Sequence, residues 1–321
     1  MEFRLWVYFA FIKFFIVLFI KRCNMISNIQ NTFNIQDLEI LSGIKAHTIR
    51  TWEKRYGLLN PTRLNRGIRA YSILELQKLL NVSLLLKHNY KISELAKLVD
   101  VELETRAKTI SLDKLKSNYY INSIIISMFS LDEELFEEVF QENIASESFS
   151  DVFRNTYIPL LNHIGALWQT NSLKPANERF ISNLIYQKIL LNIADIPKPT
   201  RQPKRVNVLF LPEAEMHEIG LLYMLYHLKL TGEKTIYLGR SIPIDNLFEI
   251  KSKFKDINWI TSFVIDRTDK EKAEFISDME ELLIHTKNTC CIVGKVWGEF
   301  SASYKSENIS FYNGFDNLIT D

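Results

Sequence analysis

Residues 206–232 read VNVLFLPEAEMHEIGLLYMLYHLKLTG. The run Val206–Leu211, apolar apart from Asn207, has the length and composition of a strand buried on both faces. The mostly apolar stretch that follows, from about His217 to Leu230, is long enough for a buried helix. The turn between them carries Glu215, His217 and Glu218. The same alternation recurs downstream: KTIYLG before PIDNLFEIKSKF, WITSFVI before a helix over about 270–286, then CCIVG, with ISFY and the closing FDNLITD as one more pair. Repeated β-α units predict a doubly wound parallel sheet over residues 205–321, whose ligands sit at the carboxyl ends of the strands. His217 stands at such an end. Two readings of it are open: a helix start with acidic residues near the positive end of the dipole, or a metal ligand whose other ring nitrogen is held by Glu215 or Glu218. Gly220 lets a large ligand approach the helix backbone.

Upstream, Pro197, Pro199 and Pro203 with Lys198, Arg201, Lys204 and Arg205 form an extended polar linker. Before it, residues 112–196 show apolar recurrence at helical spacing, such as Leu135 with Val139 and Ile158 with Leu161. Breaks fall at Ser130, Ser146–Ser150 and Leu173–Pro175, which predicts a bundle of four helices. With 321 residues, 47% hydrophobic and 24% charged, the chain is an ordinary globular protein of two or three domains. Its three cysteines, Cys23, Cys290 and Cys291, form no C-x-x-C pair and fit a reducing, cytoplasmic compartment. The start, MEFRLWVYFAFIKFFIVLFIKRCN, is apolar but carries Lys13 at its middle and has no small-residue cleavage site. It is taken as a non-native extension before Met25, with a membrane anchor as the alternative. No membrane association is expected if translation starts at Met25.

Although the net charge is +1, residues 45–71 hold seven basic side chains against Glu53 alone, a footprint for a polyanion. The stretch NIQDLEILSGIKAHTIRTWEKRYGLL predicts two short helices around a turn at Ser42 and Gly43, a helix-turn-helix. A basic hairpin follows over NPTRLNRGIRAY, and Ser72 with Glu75 form a capping box. Ser93 is expected to cap a fourth helix, with residues 101–111 as a connector. The string IRTWEKRYGLLNPTRLNRGIRAY resembles the MerR family signature I-R-x-[YW]-E-x-x-x-G-L-L-x-P-x-R…R-x-Y. The resemblance implies a winged-helix domain over residues 25–105 that binds a double-stranded DNA operator as a dimer. Matched residue by residue, it assigns DNA contact to Thr48, Arg50, Trp52, Lys54, Arg55 and Tyr56 on the second helix, and to Arg63, Arg66, Arg69 and Tyr71 on the wing. Trp52 and Tyr71 equally suit packing of a small core.

A second resemblance bears on His217. EMHEIG resembles the D-x-H-x-x-G motif of cobalamin-binding domains, with Glu215 in place of Asp; YLGRSIP and SFV resemble the elements that follow it. This implies a flavodoxin-like domain in which His217 ligates the cobalt of adenosyl- or methylcobalamin. Glu215, Gly220, Gly239, Ser262, Val264 and Gly294 would complete that site. In WQTNSLKPANE, Trp168 and Glu178 stand with nine residues between them. They resemble the W-x9-E-H of the helical cap over the upper face of adenosylcobalamin. Departures are Lys295 after Gly294 where the family has Gly-Gly, Arg179 for the His of E-H, and Gln169 where light-sensing members carry a second histidine. Together the two resemblances imply a cobalamin-dependent transcriptional repressor, dimeric or tetrameric, similar to photoreceptor repressors, and not an enzyme. The alternatives are a cofactor-free regulator controlled by a protein partner, and a corrinoid methyltransferase module.

Overall fold

A computed structural model describes residues 32–64, 67–110, 116–169, 173–198 and 204–320. The apolar start, Arg66 and linker residues 199–203 lie outside the described residues. Among the described residues no helix is long and apolar enough to cross a membrane. The chain divides into two compact units, one ending at Leu184 and the other beginning at Ile185. That division falls inside a helix, upstream of the proline-rich linker where the sequence places a boundary.

In the first unit, α1 (Ile35–Ser42) opens with reciprocal bonds between Asn34 and Asp37 and stops at the left-handed Gly43. Helix α2 (Ala46–Tyr56) follows, then the antiparallel wing, β1 (Thr62–Arg63) against β2 (Arg69–Ala70). Ser72 and Glu75 form the expected box at the start of α3 (Ile73–Lys87). Helix α4 (Ile92–Leu95) begins after Lys91, so Ser93 is inside it and caps nothing. The expected connector at 101–111 is instead largely α5 (Asp100–Ile110), which runs through residue 105 where the sequence places the end of the winged helix. Leu103 and Ala107, one turn apart and both fully buried, are enough apolar surface to dock it on α3.

The bundle comprises α6 (Lys116–Ser130), α7 (Glu133–Ile144), a run from α8 (Phe149–Val152) through a π-helical turn (Phe153–Tyr157) into α9 (Ile158–Gln169), and α10 (Pro175–Ala194). Winged helix and bundle share one unit because they share a core. Phe33 meets Phe129 edge-on at 4.8 Å, and the Asn122 amide donates to the Leu80 carbonyl at 3.4 Å. Asn177, buried at the start of α10, donates to the Met128 carbonyl of α6 at 2.8 Å.

The second unit is a five-stranded parallel sheet. In chain order it holds β3 (Val206–Pro212), α11 (Ile219–Leu230), β4 (Thr235–Ile242), α12 (Asp245–Lys253), β5 (Ile257–Ser262), α13 (Asp269–Leu283), β6 (Thr289–Val293), α14 (Gly298–Ser303), β7 (Ile309–Tyr312) and α15 (Phe315–Thr320). Strand order β4-β3-β5-β6-β7 is the doubly wound, flavodoxin-like arrangement. All seven residues of β3 are buried, as an inner parallel strand requires. One face of the sheet, Val206, Val208 and Phe210 with Trp259 and Ile292, packs on Phe275, Met279 and Leu282 of α13 and on Trp297. ISFY and FDNLIT form the last strand-helix pair of the alternation: β7 pairs with β6, and the chain turns at Gly314 into α15, which packs on α11.

Candidate functional site

Two groups of side chains carry the chemistry, one in each unit. In the winged helix, α2 buries Ile49 and turns Arg50, Thr51, Lys54 and Arg55 outward around one shallow concavity. Thr48, Trp52 and Tyr56 are half-buried, and the Arg55 guanidinium stacks 5.4 Å above the Tyr56 ring. On the wing, Arg63 is exposed, while its cross-strand partner Arg69 is partly covered and ion-paired to Glu53 at 3.1 Å. Tyr71 has no exposed surface, so of its two readings it takes the packing one; its hydroxyl donates to the other Glu53 oxygen. Burial first, and then Glu53, push the Tyr71 phenol well above its ordinary pKa. Glu53 thus holds the wing against α2. From the sequence it was only the single carboxylate among seven cations, and that oddity was the available signal.

In the sheet unit, β3 ends at Pro212 and α11 starts at Ile219, so the residues between are loop and the expected helix start at His217 falls two residues early. The chain turns sharply through Ala214, held at φ +65°, a conformation that costs a non-glycine residue energy and recurs at functional sites. Glu215 is 1% exposed, and its carboxylate accepts five hydrogen bonds. One oxygen takes the backbone N–H of Met216 at 2.9 Å, that of His217 at 3.0 Å, and His217 Nδ1 at 2.6 Å. The other takes the backbone N–H of Val264 at 3.0 Å and of Ile265 at 3.3 Å, from the loop after β5. Burial alone would raise this carboxyl; the bonds from His217 and the three backbone amides that follow it in strength outweigh burial and hold it at about 2. Glu215 is therefore the residue that orients His217. Glu218, the other candidate, accepts instead from Tyr237 at 2.7 Å and pairs with Arg240 at 3.1 Å.

With Nδ1 engaged by Glu215, Nε2 is the ring nitrogen through which His217 would ligate a metal. Its side chain is 49% exposed, and Met216, Val264 and Ile265 beside it are exposed apolar residues. Among the described residues no group of three or more His, Cys, Asp or Glu is placed to hold a bare ion. A single, rigidly oriented imidazole amid apolar surface suits a metal that already has a macrocycle of nitrogen donors. Ser262, 2% exposed, has a hydroxyl without a partner, an opening for a polar ligand group. These residues fit a corrinoid.

The remaining site residues have local reasons for their identity. Gly239 lies at a bulge of β4 with φ +84°. Gly294, after β6, has φ +154°, and a Cβ there would stand 2.4 Å from the Phe263 carbonyl oxygen. Gly294→Ala should therefore lower unfolding stability by about 2–3 kcal/mol, read as a reduced denaturant midpoint; an unchanged midpoint would contradict it. Lys295 next to it is exposed. In the first unit, Trp168 is 42% exposed at the end of α9, and Glu178 accepts from Ser182 at 2.9 Å on α10. Arg179 is exposed; the side chain of Gln169 lies outside the described residues.

Residues 33–102 match the MerR HTH family regulatory proteins, and residues 120–191 match a B12 binding domain family. The chain therefore carries a MerR-type helix-turn-helix region and a B12-binding domain region. It is homologous to two HTH-type transcriptional repressors of Myxococcus xanthus. CarH is 28% identical over 226 residues, 68% of this chain and 74% of the relative. CarA is 27% identical over 249 residues, 77% of this chain and 82% of the relative. The fold is that of the Methanosarcina barkeri monomethylamine corrinoid protein, with a TM-score of 0.51 at 13% identity over 66% of this chain and 97% of that one.

Proposed function

We propose that this chain is a transcriptional repressor whose operator affinity and self-association are set by bound cobalamin. The observation that carries this reading is His217, held by a buried carboxylate at the carboxyl end of β3, in a chain whose other unit presents a basic winged helix. When bound, the corrinoid would supply a cobalt that accepts a nitrogen ligand from the protein and a light-labile cobalt–carbon bond. His217 would hold that cobalt through Nε2 from the sheet unit. Glu215 fixes the ring tautomer. The Ser262 hydroxyl would meet a polar group of the cofactor, and Gly239, Val264 and Gly294 would border it. Trp168 and Glu178, on the helical unit, keep the cofactor-binding role that their W-x9-E spacing suggests. In the winged helix, Arg50, Lys54, Arg55 and Arg63, with Arg66, would meet phosphates, while Thr48, Trp52 and Tyr56 set the register of α2 on the duplex. Assembly as a dimer or tetramer would present two or more such heads to one operator. Regulation requires only that the assembled and free forms differ in cofactor affinity.

The test is to mix the purified chain with adenosylcobalamin in the dark, and to record the visible spectrum and the mass before and after illumination. The expected result is a bound corrinoid with a shifted spectrum and an oligomer that light dissociates. A chain that retains no corrinoid would overturn cofactor control; a corrinoid-bound oligomer indifferent to light would overturn the light response alone. For the DNA half, Arg50→Ala should weaken operator binding similarly across sequences and lower the slope of log K against log salt by about 1. An unchanged slope would remove Arg50 from the phosphate contacts.

A further inference from the structure

We infer that Phe315 determines which corrinoids the sheet unit accepts, because its ring covers the backbone at Gly220, three residues from His217, where the nucleotide of a corrinoid held by His217 would approach α11. This rests on the cobalamin reading and adds a residue to it. A Cβ built on Gly220 would lie 2.5 Å from Phe315 Cε2, 3.0 Å from Cδ2 and 3.6 Å from Cζ. The three nearest atoms all belong to that one ring, which rests against the backbone of the first turn of α11. Any side chain at 220 would have to push the protein's own aromatic ring aside. A bulky ligand approaching the same backbone needs the same surface, so ring and ligand compete for it.

A second observation is on the same side of the sheet. Strand residues alternate between the faces of the sheet. Ser262 is on the face opposite Val206, Val208, Phe210 and their α13 partners, the face on which α11 and α15 pack. It is 2% exposed and its hydroxyl has no hydrogen-bond partner. A buried hydroxyl left unpaired costs stability that a ligand oxygen or nitrogen would recover. Helix α15, only six residues long, cannot hold itself in place by helix formation alone, so its position depends on packing. If His217 ligates the cobalt, it would do so in place of the cofactor's own base, and that base with its nucleotide would need housing elsewhere. The α11–α15 side of the sheet offers it once the Phe315 ring moves. A corrinoid that lacks the nucleotide has no need of this space.

The experiment titrates the full chain and its Phe315→Ala, Phe315→Leu and Phe315→Trp variants with cobalamin and with cobinamide, which lacks the nucleotide, following the visible spectrum. Removing the ring should raise the preference for cobalamin over cobinamide by about tenfold, and tryptophan should lower it. The leucine variant gives the same readout where alanine impairs folding. A ratio unchanged in all variants that fold would overturn the role of Phe315. A chain that binds neither corrinoid would instead overturn the cofactor reading and this inference with it. The apoprotein gives a separate check by denaturant unfolding. Gly220→Ala should destabilise it, and adding Phe315→Ala should recover much of that loss; a neutral Gly220→Ala would show that the ring does not hold the position.

Discussion

Cobalamin affinity of the His217→Ala chain is expected to fall by at least about 100-fold, since altering only the hydrogen-bonding partner of a metal-ligating histidine already costs some 10–100-fold. The visible spectrum of any residual complex should lose the signature of nitrogen ligation from the protein. His217 is in a loop, half-exposed, and outside the sheet core, so the variant should lose only the one side-chain bond to Glu215, at a cost in stability of about 1 kcal/mol, small beside the loss of affinity. Affinity and stability therefore separate at this position. At Glu215 they should not. Both of its oxygens accept from N–H groups, three on one and two on the other. Glu215→Gln would turn an amide NH2 toward donors whichever way it is placed, and should lower cofactor affinity and apoprotein stability together, the latter by about 2 kcal/mol. A His217→Ala chain that binds cobalamin with unchanged affinity and spectrum would remove His217 as the ligand.

What was legible from the sequence was local or periodic. The winged helix was legible because its signals are close together: Ser72 and Glu75 three residues apart, Gly43 after α1, and a basic hairpin. The sheet was legible because apolar strands alternate with helices, and the place of His217 at the end of β3 followed directly. Helix α5 was missed because only Leu103 and Ala107 mark its buried face. The interactions that give the site its geometry were out of reach for another reason. Glu215 grips backbone amides 49 and 50 residues away, and backbone donors leave no trace in side-chain identity. Phe315 against Gly220 joins two segments that meet only after the whole sheet has wound.

Glu53→Ala should destabilise the N-terminal unit by about 2–4 kcal/mol and weaken operator binding, although Glu53 is itself an anion on the basic helix. Its side chain is only 9% exposed and holds two wing groups at once, the Arg69 guanidinium and the buried Tyr71 hydroxyl. Alanine would leave that hydroxyl without its acceptor inside the core and free the Arg69 side chain. Simple electrostatics predicts the opposite effect on DNA, since removing a negative charge from a phosphate-binding surface should tighten binding. The wing decides between these. Arg63 is directly across the hairpin from Arg69, so a wing no longer tied to α2 presents Arg63 in no fixed place relative to Arg50 and Arg55. Positioning lost along the whole hairpin outweighs one exposed-side charge gained. Tyr71→Phe separates the two contributions: it deletes the hydroxyl with its acceptor still present, so Glu53→Ala in that background should cost less than in the parent. Denaturant unfolding and operator titration at two salt concentrations check both effects. Tighter DNA binding by Glu53→Ala at unchanged stability would show that Glu53 is only a counter-charge.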